Sequence, residues 1–148
     1  MNRLIVNEPP RGQGRPRFAS KPFPHAYETD SDKKYKQSVI KAFREQKEQG
    51  KVITLEDTEK PLEVKITAYM TIPKSTTKAQ RKLINEGKIY PSKKPDCDNI
   101  AKIIIDALAN EMYLADDKNI LKLEVTKHFA IDDTPRVEVE INYFDNNN

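Results

Sequence analysis

Residues 62–72 carry the most regular pattern in the chain. Leu62, Val64, Ile66, Ala68, Met70 and Ile72 alternate with Glu63, Lys65, Thr67, Tyr69 and Thr71. A period of two held over that length predicts a strand with one face in a core and the other in water. The alternation returns as Leu121, Leu123, Val125 and Phe129 set between Lys122, Glu124, Thr126 and His128, and again as Val137, Val139, Ile141 and Tyr143. With Asp132-Asp133-Thr134-Pro135 between them, these two runs predict a pair of antiparallel strands. Arg3 to Asn7 reads as a shorter strand near the start.

Helical periods separate the strands. Tyr35, Val39, Ile40, Ala42 and Phe43 form an apolar stripe that predicts a helix capped by Ser31 or Asp32 and ending near Gln49, with Gly50 as the stop. Ser75 or Thr76 is placed to cap a short helix containing Ala79, Leu83 and Ile84 that ends at Gly87. A third helix is expected through Ile100, Ile103, Ile104, Ala107 and Leu108, capped by Asp98, because Pro95 keeps Lys94 out of the helical region and brings the chain in extended. The order strand, loop, helix, strand, short helix, basic loop, helix, strand, strand fits an α+β fold: a small mixed or antiparallel sheet with helices packed on one face. Residues 1–148 are expected to form one domain, and Asn146 to Asn148 a frayed tail.

Composition adds a modest core and a highly charged surface, at 36% hydrophobic and 33% charged residues. A lone cysteine excludes an intrachain disulfide. No leader pattern and no membrane-length apolar run is present, so a soluble cytoplasmic protein without membrane partners is expected. The net charge of +3 conceals a division. Residues 1–95 hold 21 Lys and Arg against 11 Asp and Glu, and residues 96–148 hold 5 against 12. The first part suits a polyanion; the second suits a cation that lets phosphate approach.

The chemistry concentrates between Lys93 and Lys118. Asp98, Lys102 and Asp106 recur at four-residue spacing on one face of the third helix, beside its apolar face, and Asp96 stands two residues before Asp98. A short return after Asn110 would bring Asp116 or Asp117 back to the start of the helix, so that three carboxylates meet. Such a cluster suits Mg²⁺, which takes a few carboxylates together with waters and substrate phosphate oxygens, and Lys102 would support the phosphate. A plainer reading makes Asp98 a cap, Lys102 and Asp106 a surface pair, and Asp116 and Asp117 turn residues. Each is the simpler account of one residue, but the assembly after a basic loop favours a metal site.

The run Asp96-Cys97-Asp98-Asn99-Ile100-Ala101-Lys102, then Asp106-Ala107-Leu108, then Asp116-Asp117, closely resembles the signature of the RusA family of Holliday junction resolvases, small phage- and prophage-associated endodeoxyribonucleases. Pro10-Arg11-Gly12-Gln13-Gly14-Arg15-Pro16-Arg17-Phe18 and His25-Ala26-Tyr27 resemble that family's early substrate loop. The resemblance implies a metal set of Asp96, Asp98 and Asp117, a catalytic lysine at Lys102, Mg²⁺ as cofactor with Mn²⁺ able to substitute, and a RusA-like fold. Cys97 departs from the branched apolar residue usual there, and a buried thiol would fill that place as a small hydrophobe.

Two basic segments complete the expectation. Arg11, Arg15 and Arg17 offer guanidinium forks to phosphates, with Phe18 and Phe23 available to stack. Lys93 and Lys94 lead into the acidic cluster, and Lys118 follows it. Together these six cations form the expected DNA-binding set. His25 and His128 stand alone and are not expected to ligate metal. The function expected is a Mg²⁺-dependent crossover junction endodeoxyribonuclease that nicks four-way DNA junctions in recombination and repair. A homodimer follows from the resemblance and from the near two-fold symmetry of the junction. The alternatives are a non-catalytic DNA-binding protein with a structural cation site and, less favoured, a phosphatase of the haloacid dehalogenase type or a nucleotide-sugar transferase. Those enzymes set Asp-x-Asp after a buried strand rather than after Ser92-Lys93-Lys94-Pro95.

Overall fold

The structure is a computed structural model and describes residues 2–145, so Asn146 to Asn148 lie outside the described residues. Four strands form the main sheet: β1 (Arg3–Val6), β4 (Leu62–Met70), β5 (Ile120–Phe129) and β6 (Arg136–Tyr143), in the order β1-β6-β4-β5. The β4–β5 pair is parallel and the β1–β6 and β4–β6 pairs are antiparallel, so the sheet is mixed. Helices α1 (Asp30–Glu48) and α3 (Cys97–Leu108) pack on it and on each other, and α2 (Lys78–Asn85) lies on the crossover from β4 toward β5. The α+β class expected from the element order is the one observed.

The alternation of β4 builds the core as its period requires. Leu62, Val64, Ile66 and Ala68 are buried, and Lys65 on the opposite face is exposed. Register carries this layer across the sheet: Ile66 lies opposite Val139 on one side and Val125 on the other, and Val139 lies opposite Leu4. Tyr35, Val39 and Phe43 of α1 and Ile100, Ile103, Ile104 and Leu108 of α3 close over that row in one continuous cluster. Burying a side chain of this size contributes about 1.5–3 kcal/mol, so the sheet and two helices hold together chiefly through this contact.

Several expectations are corrected. The last two strands do not form a hairpin, because β4 lies between them. The chain leaves β5 at Ala130, whose amide bonds to Met70 O at 2.8 Å, passes the end of β4, and returns on its far side as β6. β4 has the longest apolar face and is buried most completely when it is paired on both sides. β5 is thereby left at the edge, with Leu121 and Leu123 exposed rather than in the core. The loop from Pro9 to Pro24 contains a strand, β2 (Arg17–Ala19), which pairs antiparallel with β3 (His25–Tyr27) as a small separate ribbon. β4 also stops at Met70 rather than Ile72.

The caps differ as well. Thr29 caps α1, accepting from the Asp32 amide, and Thr77 caps α2 in a capping box with Gln80. Asp96, not Asp98, is the N-cap residue of α3. In each case the residue in extended conformation comes where the chain enters the helix, and an acceptor one or two residues away is sequence-compatible but differently placed. Among the described residues no helix is long and apolar enough to cross a membrane.

Candidate active site

The start of α3 is built by three segments that are distant in sequence. Asp96 has extended backbone angles, and its carbonyl accepts the first helical bond from Ile100 at 3.0 Å. Its carboxylate takes no part in capping. The Lys94–Pro95 peptide before it is cis. Lys127 reaches across from β5, and its ammonium donates to Lys93 O at 3.0 Å and to Pro95 O at 3.1 Å, fixing the lead-in from the sheet side. From the other side Gln13 N donates to Asn99 O at 2.9 Å. Gly12 sits so close that an added Cβ would stand 2.7 Å from Pro95 Cβ and 3.0 Å from Asn99 Cβ. The N-terminal basic loop is therefore docked on the acidic helix start.

Asp32 anchors that loop. Its buried carboxylate accepts from Arg11 Nε at 2.7 Å and from Gly14 N at 3.0 Å. Burial pushes this carboxyl up, but the Arg11 hydrogen bond, the Gly14 amide and the Arg11 charge outweigh it and hold its pKa below the ordinary 3.8. The folded value lies below the unfolded one, so the stabilisation is full above the unfolded pKa and drains as pH falls through the folded value. Thermal melts should show stability falling below about pH 4, with part of that acid dependence absent in Asp32→Asn. At neutral pH, Asp32→Ala should cost about 1–2 kcal/mol, because the half-open guanidinium regains water when its partner is lost. Arg11, expected as a phosphate fork, thus spends its Nε on holding the loop.

The other expected site residues fall into two groups. Asp96, Asp98 and Lys102 are exposed, and among the described residues their side chains make no hydrogen bond or ion pair. Lys102 does not pair with Asp98 or Asp106, so the plain surface-pair account of that stripe does not hold. Asp106 instead faces Lys36 at 3.7 Å, and Lys36 also contacts Glu28 at 2.5 Å, linking α1, α3 and the segment after β3.

Asp117 does return to α3, but to its second half. Tyr113, fully buried, donates its hydroxyl to Ile105 O and Asp117 Oδ1, both at 3.0 Å. Burial, followed by the Asp117 charge and hydrogen bond, raises the phenol far above its ordinary 10, so it remains a donor. Ile105 is seven residues beyond Asp98, about 10 Å along the helix axis at 1.5 Å per residue. Among the described residues no three His, Cys, Asp or Glu side chains are grouped to hold one ion. The expectation that three carboxylates meet at the start of the helix is not met among the described residues: Tyr113 ties Asp117 to the Ile105 carbonyl in the second half of α3, whereas Asp96 and Asp98 lie at its start. Asp116 caps a 3-10 turn (Asp117–Asn119) by accepting from Lys118 N at 3.4 Å.

Of the cations, Arg15, Arg17, Lys93, Lys94 and Lys118 are exposed and make no ion pair among the described residues. Phe18 and Phe23 are exposed, and the rings of Phe23, His25 and Tyr27 follow one another along the ribbon at 5.3 and 6.1 Å. The family model for "Endodeoxyribonuclease RusA" matches residues 7–142, from the basic loop through β6. The chain belongs to the RusA family. It is also 30% identical over 141 residues, 94% of each chain, to "Uncharacterized protein YqaN" of Bacillus subtilis (strain 168). RusA membership makes the protein one of a family of endodeoxyribonucleases whose general activity is Holliday junction resolution. The RusA match spans both basic segments, the acidic helix start and Asp117.

The residues that position this candidate site stand outside the sequence patterns that mark it. Tyr113 lies in no periodic run, although an aromatic four residues before Asp117, the second of an acidic pair, is a usable signal. Lys127 occupies a core-facing register on β5, an unusual place for a lysine in an otherwise apolar row. Tyr113→Phe should lower stability by about 1–2 kcal/mol, since the Ile105 carbonyl and Asp117 lose a shared donor. Urea unfolding midpoints measure this.

Proposed function

We propose that this chain is a Mg²⁺-dependent endonuclease that resolves four-way DNA junctions by paired symmetric nicks, acting as a homodimer in recombination and repair. The observation that carries this reading is the exposed, unpartnered group of Asp96, Asp98 and Lys102 at the head of α3, with basic segments on either side. Uncompensated charges of opposite sign that ignore one another are poor structural devices and good receptors for an ion and a phosphate.

The donor set fits Mg²⁺. Two carboxylates flank Cys97, neither is spent on capping, and Mg²⁺ ordinarily takes one or two carboxylates plus phosphate oxygens and waters. Asp96 and Asp98 would hold the ion, and Asp117 is the third member of the proposed set through its unpartnered Oδ2. When bound, Mg²⁺ supplies positive charge to the phosphate and an acidified water, with Mn²⁺ able to replace it.

The chain's own residues supply the rest. Lys102, one turn along from Asp98, would receive a non-bridging phosphate oxygen. Arg15, Arg17, Lys93, Lys94 and Lys118 would hold the backbone on either side, with Arg11 contributing only the end of its guanidinium not used by Asp32. The exposed ribbon aromatics would stack on bases opened at the branch.

A four-way junction incubated with Mg²⁺ beside a linear duplex of the same sequence tests this. Symmetric nicks in the junction, none in the duplex, and loss of nicking in excess EDTA are expected. Junction binding without nicking under any divalent ion would instead identify a non-catalytic DNA-binding protein.

A further inference from the structure

We propose that the cleft immediately before Asp96 receives an unstacked nucleobase from the DNA strand lying on the acidic helix start, an inference that rests on the nuclease reading above. The cleft measures about 560 Å³ and is enclosed by the N-terminal loop, the end of β4, α2 and the lead-in to α3. That volume falls in the range of about 300–1,000 Å³ usual for clefts that bind organic ligands.

Its walls suit a flat aromatic ring. Tyr90 and Phe129 line it together with the rings of Pro10, Pro73, Pro91 and Pro95. Tyr90 is 71% exposed, so its ring is available rather than packed away. Thr71, Ser75, Thr76, Gln80 and Ser92 add polar groups that can meet the edge of a base, and the exposed Lys93 and Lys94 bring two ammonium groups to the rim. Aromatic and proline rings beside hydrogen-bonding side chains and two lysines match a nucleotide, whose base is flat with polar edges and whose phosphate is anionic, better than they match an acidic peptide or a duplex backbone.

The position fixes which base this is. Pro95 forms a wall of the cleft and is the residue before Asp96, so a strand with its phosphate on Asp96 and Asp98 has a neighbouring base at the cleft mouth. Lys127 holds the carbonyls of Lys93 and Pro95, so the rim stands formed before any strand arrives. Bases in an intact duplex stay stacked and cannot enter. Beside a branch point, extruding a base costs least, and the cleft thereby favours branched DNA over linear DNA.

The test is junction binding by fluorescence anisotropy with Ca²⁺ in place of Mg²⁺, which fills a carboxylate site for the phosphate and reads affinity apart from cleavage. It uses wild type, Tyr90→Ala and Tyr90→Phe, with an intact four-way junction and a series carrying one abasic nucleotide at each position around the branch. Tyr90→Ala should weaken binding of the intact junction about tenfold, and Tyr90→Phe should stay within about twofold of wild type. One abasic position should cost wild type the same factor and cost Tyr90→Ala nothing further. Because Tyr90 is exposed, its replacement leaves the core intact, and matched thermal melts confirm that. If Tyr90→Ala binds the intact junction as tightly as wild type, or if abasic penalties simply add to its loss, the cleft holds no base and the nuclease reading stands. If Tyr90→Ala instead changes the sedimenting species and not DNA affinity, the cleft is a contact between protein copies and the proposal fails. Wild type that binds no junction at all removes the nuclease reading and this inference together.

Discussion

Asp98→Asn is expected to abolish measurable junction cleavage while leaving junction binding near that of the unsubstituted protein. Asp98 is exposed on the first turn of α3, makes no bond to any other described side chain, and is not the residue that caps the helix. Its replacement by an isosteric amide costs the fold little: at most the helix-terminus charge interaction of about 0.3–1 kcal/mol. The proposed site loses one of two adjacent oxygen donors. A metal supplies several kcal/mol of charge stabilisation to phosphoryl chemistry, and about 1.4 kcal/mol is a factor of ten in rate, so a loss of about 10²–10³-fold or more is expected. Binding should hold, or tighten slightly, because the basic loops are untouched and one negative charge has left the path of the backbone. Single-turnover cleavage and anisotropy titrations on the same junction separate the two effects. Undiminished cleavage by Asp98→Asn would sink the metal assignment, and equal loss of binding and cleavage would reduce Asp98 to a structural residue.

Gly12→Val should damage the site from outside it. The space beyond Gly12 is occupied by the Cβ atoms of Pro95 and Asn99, at 2.7 and 3.0 Å from where a Cβ would stand. Those atoms are attached directly to backbone, so neither can swing aside. The loop must retreat, which strains the Gln13 N to Asn99 O bond and carries Arg15 and Arg17 with it. Overpacking of this kind costs about 1–3 kcal/mol, a lowering of the melting temperature by several degrees. A displacement of about 1 Å at the start of α3 costs about 10²-fold in cleavage, and junction affinity falls as well. Gly14→Ala is the control: its Cβ would meet only Asp32 Oδ2, at 3.3 Å, and its effects should be much smaller. Equal activities in Gly12→Val and the unsubstituted chain would show that the loop and the helix start act independently.

The legible parts of the fold were those written in local periods. The alternation from Leu62 to Met70 marked a strand whose buried and exposed faces match the pattern, and the stripes of Tyr35, Val39 and Phe43 and of Ile100, Ile103, Ile104 and Leu108 marked two core helices. Partner choice was less legible. The β5 and β6 runs, with a turn between them, have the pattern of a hairpin, yet β4 competes for the same edges and sits between them. The β2–β3 ribbon escaped notice because three-residue strands with exposed aromatics give no alternation to read.

The candidate site divides in the same way. By itself the sequence determined that Asp98, Lys102 and Asp106 share a helix face, that basic residues crowd the first part of the chain, and that the acidic run belongs beside a basic loop, because spacing along one helix and charge along one chain are local properties. Only the tertiary structure decided that Asp32 consumes Arg11, that Gly12 and Lys127 clamp the head of α3 from opposite sides, and that Tyr113 draws Asp117 to the second half of the helix. Each of those contacts joins segments whose meeting is set by how the sheet and helices close over one shared core, and no window of sequence contains that closure.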